Sequence, residues 1–77
     1  MKVIVYSTPT CPWCNVVKDF LKNHNVEFEG IDVSKNPDKG QEMIKKSGQT
    51  GVPVVDIDGE ITVGFDEVKL KYLLGIE

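Results

Sequence analysis

The chain switches between short apolar runs rich in β-branched residues and longer amphipathic stretches. Residues 2–7 are dominated by an apolar run, which is typical of a strand covered on both faces. Residues 12–23 place apolar side chains at helical spacing, with Pro12 at the first helical position and Cys11 as the N-cap. Residues 26–33 have the composition of a second strand. This part of the chain therefore predicts a strand–helix–strand unit with parallel strands.

A second helix and a hairpin are predicted next. Asn36, followed by a proline, is a residue type that begins helices, and Gly48 is expected to end this one. Residues 52–57 predict a further strand, with Pro53 at its entrance, where a missing N–H is tolerated. The dipeptide Asp58-Gly59 is the strongest hairpin signal in the chain.

The hairpin is expected to return along residues 60–63, and the acids of residues 56–67 are expected to form its solvated surface. A last helix should be capped by Asp66 and ended by Gly75. Its apolar members are Val68, Leu70, Leu73 and Leu74. The predicted order is β-α-β-α-β-β-α, an α/β arrangement with a four-stranded mixed sheet and three helices.

Composition limits the classes of partner. Apolar residues make up 40% of 77, enough for one compact core, so we expect residues 1–77 to form a single, monomeric domain. Nine lysines and no arginine against twelve acids leave a net charge of −3, which argues against nucleic acid. No apolar run approaches the ~18 residues of a membrane helix, and the N-terminal stretch lacks a signal-peptide pattern. We therefore expect a cytoplasmic protein without membrane contact.

Cys11 and Cys14 are the only cysteines. A disulfide closing so short a loop removes little chain entropy, so the pair is not expected to staple the fold. A structural zinc site needs four ligands, whereas the chain offers two thiols and His24, which we interpret as a helix-end residue. Redox chemistry is the favoured interpretation of this Cys-x-x-Cys pair. A chance pair, or half of a metal site shared between two chains, is the alternative.

The two sulfurs are expected to play different roles. At a helix N-cap, the thiolate of Cys11 would meet unpaired N–H groups and the positive end of the helix dipole, which stabilise the anion. Cys14 is expected to point further into the protein and to resolve the mixed disulfide that Cys11 forms. Pro12 sets the first helical turn, and Trp13 is expected to be exposed beside the site.

Three stretches resemble the signature sequences of glutaredoxins, and the resemblance covers essentially the whole chain. The stretches are Cys11-Pro12-Trp13-Cys14, Thr50-Gly51-Val52-Pro53 and Gly64-Phe65-Asp66. The resemblance implies a thioredoxin-like fold, a cis peptide bond before Pro53 and a redox-active disulfide between the two cysteines, with no bound cofactor and no metal. It also implies that substrate or glutathione is bound by Thr50, Val52, Pro53, Gly64, Phe65 and Asp66.

Some positions depart from the pattern of glutathione-using members. Thr8 stands where a lysine is common, three residues before the first cysteine, and Val63 replaces the first glycine of a Gly-Gly pair. Lys18 matches a basic position of the family, where it either aids the thiolate electrostatically or is simply a solvated helix-face lysine.

The resemblance implies reduction of protein or small-molecule disulfides, with glutathione or a flavin-dependent thioredoxin reductase as the electron source. One alternative is a dedicated electron donor to a protein such as ribonucleotide reductase or a peroxidase. Another is a low-turnover module that binds a partner through the loop at Val52.

Overall fold

A computed structural model describes residues 2–76, in which the seven elements follow in the predicted order. The sequence expectation of three helices and four strands is therefore confirmed. The elements are β1 (Val3–Ser7), α1 (Pro12–Asn23), β2 (Glu29–Asp32), α2 (Pro37–Ser47), β3 (Val54–Ile57), β4 (Glu60–Val63) and α3 (Glu67–Leu74). None of the helices in residues 2–76 has the length and apolar character that crossing a membrane requires.

The four strands form one mixed sheet in the order β2-β1-β3-β4. The β1–β2 pair is parallel, and the other two pairs are antiparallel. Val5 lies at the centre of the sheet, opposite Gly30 of β2 on one side and Val55 of β3 on the other. Because β1 is a central strand, its C-terminal end leads straight from the middle of the sheet to the first turn of α1.

Helices cover both faces of the sheet, as the continuous apolar run of β1 predicts. One face packs against α1 and α3 through a core that includes Val5, Leu21 and Leu70. The other face packs against α2 through a smaller core that includes Tyr6 and Met43. Alternate residues of β1 supply the two cores, which is why this strand has no solvated face.

Two strands are shorter than the sequence predicts. The prediction of a strand over 26–33 is wrong for its first three residues and for Val33, because β1 pairs with β2 only from Glu29, opposite Ile4, to Asp32, opposite Ser7. Residues 26–28 instead connect the left-handed Asn25 to the sheet edge. Likewise β3 begins at Val54, so Val52 and Pro53 lie in the loop before it.

Two details of the helices also differ from prediction. Asn36 precedes α2, but its side chain does not cap that helix and donates instead to the Asp32 carbonyl oxygen at 2.8 Å. Val68 is not a core member of α3, since its side chain is 81% exposed. It lies ~200° around the helix from the buried Leu70. The predicted helix ends are confirmed, because Gly48 and Gly75 both adopt the left-handed conformation.

The turn between β3 and β4 matches its dipeptide signal. Asp58 and Gly59 both have positive φ, at 50° and 93°, as the two central residues of a type I′ turn require. The turn places Glu60 opposite Ile57 and brings the hairpin back along the edge of the sheet.

Asp56 is not part of a solvated hairpin surface. Its residue is buried to 7% exposure, and its carboxylate receives a hydrogen bond from the Lys46 ammonium at 2.6 Å and one from the Gly59 N–H at 2.8 Å. The Lys46 ammonium also donates to the Tyr6 hydroxyl at 2.9 Å, and that hydroxyl donates to Glu42 at 2.7 Å. These bonds tie α2 to β1 and β3.

The environment of Asp56 favours its charged form. Burial acts to raise the pKa of the Asp56 carboxyl, but the hydrogen bonds from Lys46 and the Gly59 N–H outweigh it, so the pKa is lowered. The folded state therefore holds this proton less tightly than the unfolded state does. The pair of Lys46 and Asp56 therefore stabilises the fold at pH values above the unfolded-state pKa of Asp56, which is about 4. This stabilisation is lost as the pH falls through the folded-state pKa of Asp56.

We expect Lys46→Met to lower the free energy of unfolding by about 1–3 kcal/mol at neutral pH, because Asp56 loses its cation while staying buried. The difference from the unaltered protein should shrink as the pH falls through the lowered pKa of Asp56, because its carboxyl is then protonated in both proteins. Urea unfolding over a series of pH values from neutral into the acid range measures this. Lys45→Met removes an exposed neighbouring lysine and should cost less than about 0.5 kcal/mol. Equal losses in both variants would contradict the role given to the pair.

Candidate active site

The Cys11 sulfur lies at the N-terminus of α1, shortly after the chain leaves the C-terminal end of β1. Cys11 has extended backbone angles, and its Sγ accepts a hydrogen bond from the Cys14 N–H at 3.1 Å. A sulfur thus takes the position that a serine or aspartate oxygen occupies in ordinary helix caps. Pro12, at the first helical position, has no N–H that would need a partner there. The Cys11 side chain remains partly exposed.

Cys14 lies behind Cys11 with no exposed surface. Burial raises the pKa of the Cys14 thiol to about 11, and its hydrogen bond with Cys11 acts in the same direction. A backbone hydrogen bond from Thr8 and the charge of Lys18 act in the opposite direction. Both cysteines are free thiols in this structure. Of the two sulfurs, only Cys11 can therefore be approached from solvent and is flanked by unpaired helix N–H groups.

The loop before β3 crosses in front of Cys11. The carbonyl oxygen of Val52 lies 3.9 Å from Cys11 Sγ, and the Val52–Pro53 peptide bond is cis, as the resemblance implied. Within residues 2–76 the Val52 N–H donates no hydrogen bond. The Pro53 carbonyl oxygen accepts the Gly64 N–H at 2.8 Å, which fixes this loop to the turn after β4.

An apolar groove of about 240 Å³ opens between these loops. Trp13 forms one wall with a side chain that is 61% exposed, and its ring stacks on Phe65 at a centroid distance of 6.4 Å. The predicted exposure of Trp13 beside the cysteines is confirmed. The groove is lined by Trp13, Val52, Pro53, Gly64 and Phe65. Gly64 has φ +74°, a turn conformation that other residues rarely adopt, so it can present Phe65 to the groove.

Two residues predicted to bind substrate lie outside the groove lining. Asp66 caps α3, where its carboxylate accepts the Lys69 N–H at 3.1 Å, so the capping role expected of it is confirmed. Thr50 is exposed in the loop between α2 and β3. Their roles in ligand binding stay predictions.

The segment of residues 8–11 that joins β1 to α1 is called the cysteine loop here. A second pocket, which the sequence interpretation did not identify, lies on the β2 side of this loop, whereas the groove lies on the β3 side. It has a volume of about 290 Å³, and most of its lining residues are polar, among them Thr8, Asn15, Lys18 and Asp32; we call it the polar pocket. The sequence did contain a signal for this pocket, because it predicts parallel pairing of β1 and β2, and the C-terminal ends of neighbouring parallel strands form a crevice in α/β sheets. Lys18, one helical turn after Cys14, pointed to the same place.

In residues 2–76, no three His, Cys, Asp or Glu side chains come together closely enough to hold a metal ion. His24 is the C-cap of α1 and packs against Phe20 at a ring distance of 4.5 Å, far along the helix from the two cysteines. Its interpretation as a helix-end residue is confirmed.

The fold and the paired thiols define a class of protein, and comparison with known sequences agrees. The family model described as glutaredoxin matches residues 3–62, so the chain belongs to the glutaredoxin family. Members of this family are generally thiol–disulfide oxidoreductases with a thioredoxin-like fold, and the helices and mixed sheet described above have that fold.

Particular relatives extend the match over nearly the whole chain. A glutaredoxin-like 8.6 kDa protein from the rubredoxin operon of Clostridium pasteurianum is 44% identical over 70 residues, which cover 91% of this chain and 93% of that protein. The crystal structure of the thioredoxin-like protein BC3987 mutant T8A is 42% identical, with a TM-score of 0.93 and coverage of 99% and 97%. The glutaredoxin-like protein NrdH-redoxin from Escherichia coli, described as having a thioredoxin-like activity profile, is 26% identical, with a TM-score of 0.84 and coverage of 95% of each chain.

Proposed function

We propose that this protein reduces disulfides of proteins or small molecules by dithiol exchange, with Cys11 as the attacking sulfur and Cys14 as the resolving sulfur. The observation that supports this proposal most strongly is the difference in exposure between the two cysteines. Cys11 Sγ is accessible at the helix N-terminus, whereas Cys14 is wholly buried behind it and linked to it by its own N–H at 3.1 Å. An accessible thiolate at such a site is a nucleophile, and a shielded neighbour is suited to intramolecular attack.

The reaction proceeds in two exchanges. The Cys11 thiolate attacks one sulfur of the substrate disulfide, whose S–S bond breaks, and the first substrate thiolate leaves and takes up a proton. Cys14 then loses its proton and attacks Cys11 Sγ. The bond between Cys11 and the substrate breaks, and the second substrate sulfur leaves and is protonated. The substrate has gained two electrons and two protons, and the protein holds a Cys11–Cys14 disulfide, which is its redox-active group.

The groove beside Cys11 suits an extended peptide around a disulfide. The free N–H and the carbonyl of Val52 offer the backbone pairing that an added strand uses, and Trp13 and Phe65 offer apolar contact. Because the lining contains no charged side chain, we expect it to accept partners of varied sequence.

Catalytic reduction of a small disulfide, with dithiothreitol as the electron source, tests this function. Cys11→Ser should abolish turnover. Cys14→Ser should still form a mixed disulfide, visible by intact mass, but should not release it intramolecularly. Asn23→Ala, at the exposed far end of α1, keeps both thiols and serves as the control, which should retain turnover. If the unaltered protein binds a disulfide peptide without turnover, the low-turnover binding module is favoured. If Cys14→Ser is inactive toward the disulfide while Cys11→Ser reacts, the two roles are reversed.

A second proposal concerns the electron source, which we infer to be a flavin-dependent thioredoxin reductase in preference to glutathione. Thr8 occupies the position at which glutathione-using members of the family commonly carry a lysine, so position 8 supplies no cation for a glutathione carboxylate. The similarity to NrdH-redoxin, with its thioredoxin-like activity profile, supports the same assignment. A dedicated protein electron donor would use this arrangement, with disulfide-containing proteins such as ribonucleotide reductase or a peroxidase as partners.

We expect slow recharging of the oxidised protein by glutathione with glutathione reductase, and faster recharging by a thioredoxin reductase with NADPH. Thr8→Lys should raise the glutathione-dependent rate by about tenfold, because a charge-assisted hydrogen bond near the surface contributes roughly this much. Thr10→Lys adds the same charge at an exposed neighbouring position and should have little effect. Efficient recharging of the unaltered protein by glutathione, or equal effects of the two lysines, would reject the proposal.

A further inference from the structure

Resolution requires Cys14 to lose a proton at a place that solvent does not reach directly. Cys14 has no exposed surface, and burial raises the pKa of its thiol to about 11. In the mixed disulfide, the substrate would cover the Trp13 and Val52 side of the site. The proton therefore needs another route, and the thiolate needs a stabilising charge.

The polar pocket lies where such a route is needed. It lies at the C-terminal ends of β1 and β2, against the first two turns of α1, with Thr8, Asn15 and Lys18 among its walls. Thr8, which hydrogen-bonds Cys14 through its backbone, forms part of this wall. The polar pocket and the apolar groove share no lining residue. A substrate in the groove would thus leave the pocket open to water.

Lys18 is the cation of this pocket, and among residues 2–76 it has no ionic partner. It follows Cys14 by four residues, which places both side chains on the same side of α1. Within the described part of the chain, no carboxylate lies within 4.0 Å of its ammonium. The lysine chain lies over β2, with Cε 3.9 Å from the place that a Cβ of Gly30 would take.

The carboxylate that lines the same pocket, that of Asp32, already accepts hydrogen bonds from a neighbouring residue. Asp32, at the end of β2, accepts hydrogen bonds from the N–H of Ser34 at 2.9 Å and from its hydroxyl. The ionisable groups that bear on Cys14 are thus Cys11 and Lys18 from α1, with Asp32 facing the pocket from β2. In the mixed disulfide Cys11 is uncharged, which leaves the Thr8 backbone hydrogen bond and the charge of Lys18 as the influences that favour the Cys14 thiolate.

We propose that the polar pocket is the exit for the Cys14 proton and that Lys18 is a positioning residue that stabilises the Cys14 thiolate during resolution. This inference rests on the proposed function and assigns its second step. Cys14 is not among the residues that line the pocket, so its proton passes the wall formed by Thr8 before water in the pocket takes it up. The sulfur's electron pair then forms the bond to Cys11 Sγ, and the bond from Cys11 to the substrate sulfur breaks.

The two exchanges can be separated with 2,2′-dithiodipyridine, a neutral disulfide that releases one chromophoric thiopyridone at each step. Stopped-flow mixing with the reduced protein gives a concentration-dependent first phase from Cys11 and a concentration-independent second phase from Cys14. We expect Lys18→Met to slow the second phase by about tenfold near neutral pH, because a neighbouring charge changes a thiolate population by about this factor. Its pH profile should move to higher pH, while the first phase changes less than about twofold.

Lys18→Arg keeps the charge and should keep the second phase. Lys22→Met removes an exposed lysine one turn further along α1 and should change neither phase. An unaltered second phase in Lys18→Met, an equal slowing of both phases, or an equal effect of Lys22→Met would overturn the inference alone. Absence of the first phase in the unaltered protein would overturn the proposed function, and the inference with it.

Discussion

The hydrogen bond from the Cys14 N–H to the Cys11 sulfur ties the reactive group to the first turn of α1, and the rest of the site is arranged around that bond. It requires Cys11 to be in an extended conformation at the end of a buried central strand. It also requires Cys14 to point into the core. The same helical turn therefore exposes one sulfur and shields the other, which is the asymmetry that stepwise disulfide exchange needs.

The two sides of the cysteine loop have different chemical character. On one side, the loop at Val52 and the rings of Trp13 and Phe65 form an apolar groove, where the Val52 N–H has no partner within residues 2–76. On the other side, Lys18 and Asp32 form a polar pocket at the strand ends. Apolar contact with the substrate and proton transfer to water are thereby kept apart, although both act on sulfurs within one turn of α1.

The features predicted correctly from the sequence are those determined by neighbouring residues. Cys11 as an N-cap, the Asp58-Gly59 turn and the Asp66 cap all depend on interactions within a few residues, so the local residue types suffice. Asp56 was misjudged because its partner Lys46 lies on another element and reaches it only in the folded state. The strand over residues 26–28 failed for a similar reason, since β1 supplies no pairing partner there.

The predictions about the site divide in the same way, into those that depend on neighbouring residues and those that depend on distant ones. The motif around the cysteines and its resemblance to glutaredoxins indicated the groove residues, but nothing local to Lys18 showed that its ammonium would lack a carboxylate partner. That depends on where β2 and Asp32 end relative to α1, which is set by the parallel pairing of β1 and β2. Long-range packing, which single-sequence patterns do not contain, thus decides which charges are free to act.

A structure of the Cys14→Ser variant trapped as a mixed disulfide with a short cysteine-containing peptide tests the central claim most directly. The peptide sulfur should be bonded to Cys11, its backbone should pair with the N–H and carbonyl of Val52, and its flanking side chain should lie between Trp13 and Phe65. The polar pocket beside Lys18 should remain open to solvent. A peptide that instead crosses the polar pocket and leaves Val52 unpaired would contradict the division of roles between the two sides of the site.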